Sequence, residues 1–240
     1  MVGDDANNAF LTNPAIHSVY QYLVDYVAEL ATFWFETEAR QVRVLDWGSG
    51  KGHIAYLLRK RGLDVTAADR LDTSEDSSFS QSTPIIQKAG IDVVELTDDV
   101  MLPFEDATFD VVISMGVLEH VPNDLASLIE IRRVLRPNGL FCCFFLPYTT
   151  SWTQRLMHLL GNHYHDRLYS KRQVDALLSA SGLRLVDRWH RQLFPKNSVR
   201  YVGYRHFERA DQWMTDRTPF RRLATNIEFV ATRPADDRDG

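Results

Sequence analysis

Val44-Leu45-Asp46-Trp47-Gly48-Ser49-Gly50-Lys51-Gly52-His53 constrains this chain more than any other stretch. An apolar strand ends at an acid, three glycines follow at alternate positions, and Ile54, Leu57 and Leu58 begin a helical stripe. Strand, tight turn and helix start in that order imply an α/β fold. Glycine lets a ligand lie against bare backbone, because it has no Cβ and accepts positive φ. The unpaired N–H groups at the helix start favour a negative ligand group. A dinucleotide fingerprint needs G-x-G-x-x-G. Here His53 stands at the third glycine's place and Gly52 comes one residue early, which counts against NAD or FAD.

Later segments extend the pattern. Pro14 to about Phe35 has apolar residues at helical spacing, with Pro14 suited to a first turn. Strands are expected at Val42 to Asp46, Val65 to Asp69, Ile91 to Leu96, Phe109 to Ser114 and Leu140 to Leu146. A helix is expected from Gly50 to about Arg61, with Gly62 as its stop. A short helix at most is expected from Pro84 to Ala89, after a Ser-, Asp- and Thr-rich surface loop from Leu71 to Thr83. The helix after the fourth strand shows Leu125, Leu128, Ile129 and Leu135 on one side, and Arg136-Pro137-Asn138-Gly139 reads as a turn. Ser170-Lys171-Arg172-Gln173 fits a capping box, opening a helix that stops at Gly182. Leu183 to Trp189 and Asn226 to Thr232 read as the last two strands. Asp69, 21 residues past Gly48, ends the second strand, where a carboxylate can accept both hydroxyls of an adenosine ribose.

Three passages together resemble the class I S-adenosylmethionine-dependent methyltransferases, and the small-molecule group called type 11 in particular. They are the glycine turn, Thr97-Asp98-Asp99-Val100-Met101-Leu102-Pro103-Phe104, and Phe109-Asp110-Val111-Val112-Ile113-Ser114-Met115-Gly116-Val117-Leu118-Glu119-His120-Val121-Pro122. The resemblance implies a Rossmann-like doubly wound sheet, mostly parallel with an antiparallel last strand, and helices on both faces. It implies S-adenosyl-L-methionine as cofactor. Gly48, Ser49, Gly50 and Gly52 would hold its methionine end, and Asp46 its ammonium. Asp69 with Arg70 would meet the ribose. Asp98 would meet the adenine amine, with Asp99 or Val100 supplying an amide, and Ser114 and Met115 would be further cofactor-binding residues. His120 is the first candidate for a general base because histidine titrates near neutrality, with Glu119 beside it.

One domain of 240 residues is expected: a helical cap to residue 40, a cofactor-binding core over 41–147, and a C-terminal half over 148–240. In that half Asn162 to Arg167 is polar and aromatic, and His163, Tyr164 and His165 are second-rank site candidates. An insertion from about Arg188 to Arg222 carries nine Lys or Arg against three acids, interleaved with aromatics. That pattern suits a small acceptor that is anionic or contains a sugar. Net charge is −5, so general nucleic-acid binding is not expected. The longest apolar run is too short to span a membrane, and with no signal-like start the expected place is the cytoplasm. Cys142 and Cys143 read as buried strand residues, and no clustered His/Cys pattern proposes a metal. Competing readings are a non-catalytic S-adenosylmethionine-binding protein and an NAD(P)-dependent oxidoreductase.

Overall fold

A computed structural model describes residues 14–70, 89–161, 167–194 and 204–235. The tail before Pro14, the serine-rich loop, the short helix expected from Pro84, the run with His163, Tyr164 and His165, and residues 195–203 of the insertion lie outside the described residues, apart from single end residues. In chain order the elements are α1 (Pro14–Trp34), β1 (Arg43–Trp47), α2 (His53–Lys60), β2 (Asp64–Asp69), β3 (Val93–Glu95), β4 (Phe109–Met115), α3 (Asp124–Val134), β5 (Leu135–Pro147), α4 (Trp152–Leu159), α5 (Lys171–Ser181), β6 (Arg184–Arg191), α6 (Tyr204–Arg217) and β7 (Asn226–Thr232).

The strands form one sheet in the order β3-β2-β1-β4-β5-β7-β6. All pairs are parallel except β5 with β7 and β6 with β7. Successive strand residues point to opposite faces. Val44, Ile113, Cys142 and Phe144 therefore pack under α1 and α2, while Leu45, Val112, Cys143 and Leu146 pack under α3 and α5. Burial on both faces explains why Leu140 to Leu146 is apolar without alternation. It also sends the two adjacent cysteines to opposite faces; both are buried and free.

Local chemistry fixes the element ends. Ser170 and Gln173 close a full capping box on α5, and Gly182 ends that helix at φ 75°. Three sequence expectations need correction. Helix α2 begins at His53 and not at Gly50, because Gly48, Gly50 and Gly52 all have positive φ. Ile129 is 50 % exposed, and Leu135 lies in β5; Leu128, Ile131 and Val134 form the buried side of α3. The Arg136-Pro137-Asn138-Gly139 turn sits inside β5 as an excursion from the ladder, between the pairs Phe109 with Leu135 and Val111 with Leu140. The chain after β7 holds it there: Asn138 N donates to Arg233 O at 2.8 Å, and Arg233 N to Gly139 O at 2.9 Å.

β1 and β4 are neighbours whose crossovers leave in opposite directions along the sheet. A crevice opens outside the carboxyl ends at such a switch point. Asp46, Trp47, Ser114 and Met115 end these two strands.

Candidate active site

The glycine turn is stitched to the end of β2. Gly48 N and Ser49 N both donate to Ala68 O, at 2.9 and 3.1 Å, and Gly50 N donates to Asp69 Oδ2. A Cβ on Gly48 would fall 2.4 Å from Val117 Cγ2, so the turn packs directly on the loop after β4. Ser49 Oγ is buried and meets no hydrogen-bond partner among the described residues. An orphaned hydroxyl beside bare glycine backbone fits a polar ligand lying in the turn.

Asp46 lies beneath the turn, almost fully buried, and its Oδ2 accepts from Ala55 N at 3.0 Å. Gly52 offers α2 no side-chain cap, so a carboxylate from β1 satisfies this early amide instead. Burial is the main cause that lifts the Asp46 pKa to about 7; the Ala55 amide opposes it and Asp69 adds to it.

Asp69 accepts from Gly50 N through Oδ2 and from Arg70 N through Oδ1, the latter at 2.7 Å. An ionised carboxylate has about four lone-pair sites, so two remain for a vicinal diol. Burial raises the Asp69 pKa against these two amides. The Arg70 side chain pairs with Asp99. Asp98 Oδ1 accepts from Met101 N at 2.7 Å and from Val100 N at 2.8 Å, which lowers its pKa. The Val100 amide is thus engaged by Asp98, whose Oδ1 serves two backbone amides. Carboxylates from the ends of β1 and β2 and the loop after β3 share one rim of the sheet.

On the β4 side, Ser114 is fully buried in register between Trp47 and Cys143, and Met115 pairs with Phe144. The turn beyond them is tight, with His120 N donating to Val117 O at 2.8 Å. It is pinned from outside by Tyr169, whose hydroxyl donates to Leu118 O at 3.1 Å, and by Arg167, which donates to Val121 O at 2.9 Å. The two candidate bases are thereby separated in environment. The Glu119 side chain is 2 % exposed and that of His120 is 58 % exposed, with Glu119 Oε1 3.8 Å from His120 Nε2. Burial pushes the Glu119 carboxyl up to about 7.

Sequence reasoning missed an aromatic cluster that joins α1 to the start of α2 and the end of β5. Tyr20 of α1 lies 6.1 Å from the ring of His53 and 6.2 Å from that of Phe145. Its only sequence signal was helical spacing, which reads as core. His53 is buried, and desolvation, then Lys51 and His17, lower its pKa to about 4.

The basic insertion is partly spent inside the fold. Arg188 pairs with Asp175, Arg191 with the buried Glu228 at 2.6 Å, and Asp211 of α6 accepts from the amides of Gln192, Leu193 and Phe194. Among the described residues no three His, Cys, Asp or Glu side chains group as a metal site, and no helix is long and apolar enough to cross a membrane.

A family model described as a methyltransferase domain matches residues 45–143, the span from β1 to β5 that builds this rim. Over those residues the chain carries a methyltransferase domain, and the domain match with its relatives supports a class I S-adenosylmethionine-dependent methyltransferase with S-adenosylmethionine as the cofactor implied. Among individual proteins, it is 26% identical over 210 residues to the ubiquinone biosynthesis O-methyltransferase of Brucella anthropi, covering 81% of this chain and 74% of that one. Its fold is similar to the YcgJ protein of Bacillus subtilis, with a TM-score of 0.60 at 18% identity, over 92% of this chain and 100% of the other. The [4+2]-cyclase SpnF also shares it, with a TM-score of 0.57 at 18% identity, over 90% of this chain and 82% of SpnF.

Proposed function

We propose that this enzyme methylates an oxygen of a small hydroxylated acceptor, with Glu119 as the general base. The observation that carries the reading is Glu119 itself: a buried carboxyl, lifted to about 7, in the turn that follows β4 at the switch point. A base is most effective when its pKa lies near the working pH. The relative from Brucella anthropi, named as an O-methyltransferase, supports oxygen as the accepting atom.

S-adenosylmethionine supplies a methyl already activated on a cationic sulfur. The chain's task is then to align the acceptor, exclude water and take the proton. In this reading Gly48, Ser49, Gly50 and Gly52 line the methionine end, with the Ser49 hydroxyl gaining its missing partner. Asp46 acts on the ammonium from beneath. Asp69 takes the ribose diol and Asp98 the adenine amine, with the Arg70–Asp99 pair bracing the rim between them. Glu119 accepts the hydroxyl proton, and the exposed His120, 3.8 Å away, passes it to solvent. An anionic or sugar group on the acceptor stays part of the proposal. It draws on Arg209, Arg217, Arg221 and Arg222 with the exposed Trp213 and Phe220, since Arg188 and Arg191 already have acidic partners. We likewise read the chain as one domain, with the insertion as a cap on it.

The test is transfer from methyl-tritiated S-adenosylmethionine to a defined panel: 3,4-dihydroxybenzoate, methyl glucuronoside and ethanolamine. Label on a hydroxylated member, with kcat about 100-fold lower in Glu119→Gln, is the expected result. Label on the amine nitrogen alone, or full turnover in Glu119→Gln, sinks the proposal.

A further inference from the structure

Phe145 sits in a left-handed backbone conformation, φ 59°, near the carboxyl end of β5. For a bulky non-glycine residue that is an outlier, and such strain persists only where its surroundings enforce it. The register shows how it arises. Cys143 pairs with Phe229 and Leu146 with Ile227, so β5 spends one more residue than β7 between these pairs. This is a β-bulge, with Glu228 opposite Phe144 and Phe145. A bulge takes an amide out of the ladder, and Glu228 catches it: Phe145 N donates to Glu228 Oε1 at 3.3 Å.

Glu228 has no exposed surface, and its other oxygen is held from β6. Oε2 accepts from Trp189 Nε1 at 2.8 Å and from Arg191 Nε at 2.6 Å. The Arg191 guanidinium lies 5.0 Å over the Tyr22 ring, and Trp189 packs edge-on against Tyr26 at 5.5 Å. Strands β5, β6 and β7 therefore meet on one carboxylate, and α1 packs on the two β6 side chains that donate to it.

What the bulge delivers is Phe145. Its ring is 6.2 Å from Tyr20, and a Cβ built on Gly116 would lie 4.0 Å from Phe145 Cβ and 3.6 Å from Glu119 Oε1. Extended backbone would send this side chain to a different place relative to the sheet. We propose that Glu228, bound to Arg191, is a positioning residue: it holds Phe145 in the strained bulge so that the ring forms the acceptor-side wall beside Glu119. The inference rests on the methyl-transfer reading of that site.

Glu228→Gln and Phe145→Gly test it. Crystal structures of the parent and Glu228→Gln with S-adenosylhomocysteine should show Phe145 leaving positive φ in the variant. With 3,4-dihydroxybenzoate as probe acceptor, both variants should raise acceptor KM about tenfold, with S-adenosylhomocysteine Kd within twofold of the parent. Phe145 unmoved in Glu228→Gln overturns the inference. So does an acceptor KM within twofold in both variants. If Glu228→Gln does not fold, Phe145→Gly decides alone, since glycine accepts the bulge geometry without its clamp: unchanged KM overturns, a tenfold rise supports. A parent that binds S-adenosylhomocysteine but leaves 3,4-dihydroxybenzoate unlabelled counts against the acceptor reading alone, and the position of Phe145 in Glu228→Gln still decides the clamp. A tenfold loss of S-adenosylhomocysteine affinity in both variants would assign Glu228 to the cofactor side and overturn the inference.

Discussion

Glu119 and His120 are adjacent in sequence and opposite in surroundings, and that difference has a pH signature. With Glu119 raised to about 7, kcat/KM is expected to climb with pH and level off above about 7, and Glu119→Gln to lose this limb. The same shift affects stability. A carboxyl whose folded pKa lies above its unfolded value stabilises fully below the unfolded value, near 4.5, and that contribution is lost as pH rises through about 7. The melting temperature of the parent minus that of Glu119→Gln should therefore fall between pH 4.5 and 7.5. His53 has the opposite sign. Its folded pKa is lowered to about 4, so its contribution is present above 6.5 and lost as pH falls toward 4. Comparing the two proteins at each pH cancels it. A difference that is flat across the range would mean that Glu119 is not a buried acid.

The glycine turn depends on close packing as well as on backbone freedom. Gly48 has φ +75° with Val117 2.4 Å from a built Cβ, whereas Gly62 has φ +86° and nothing nearer than 4.0 Å. Gly62→Ala should cost about 1–2 kcal/mol from the left-handed backbone alone. Gly48→Ala adds overpacking worth about 1–3 kcal/mol more. Urea unfolding of both, and of Gly48→Ala with Val117→Ala, measures the difference; a double variant no better than Gly48→Ala would exclude the clash as its cause. The spelling of this turn, the capping box at Ser170 and the stop at Gly182 were legible because each uses neighbouring residues. The bulge at Phe145 was not. Leu140 to Leu146 looks like one unbroken strand, since both faces are buried, and the residue that catches the bulge lies 83 positions away. A glutamate inside the apolar run Asn226 to Thr232 was the one available sign. Arg136 to Gly139 read as a plain turn for the same reason, because Arg233 reaches it only after the sheet is assembled. The three rim acids could be picked out one at a time, but the amides that Asp46 and Asp98 already serve could not.

At the scale of the whole molecule, the cofactor reading predicts linkage. A ligand that binds only the folded chain at 100 times its Kd stabilises it by about 2.7 kcal/mol. Thermal unfolding should rise with S-adenosylhomocysteine and stay unchanged with NAD at equal concentration, and Asp69→Ala should need much more S-adenosylhomocysteine for the same rise. A shift with NAD alone would restore the oxidoreductase. One feature of the strand order also reaches into biosynthesis. Of the strands in this sheet, β7 is made after both of its neighbours, β5 and β6. Until Asn226 to Thr232 has emerged, β5 presents a bare apolar edge and β6 has no neighbour to pair with. A nascent chain stalled short of that point is a sheet with a missing inner plank, a species prone to sticking to other chains and in need of a chaperone's cover.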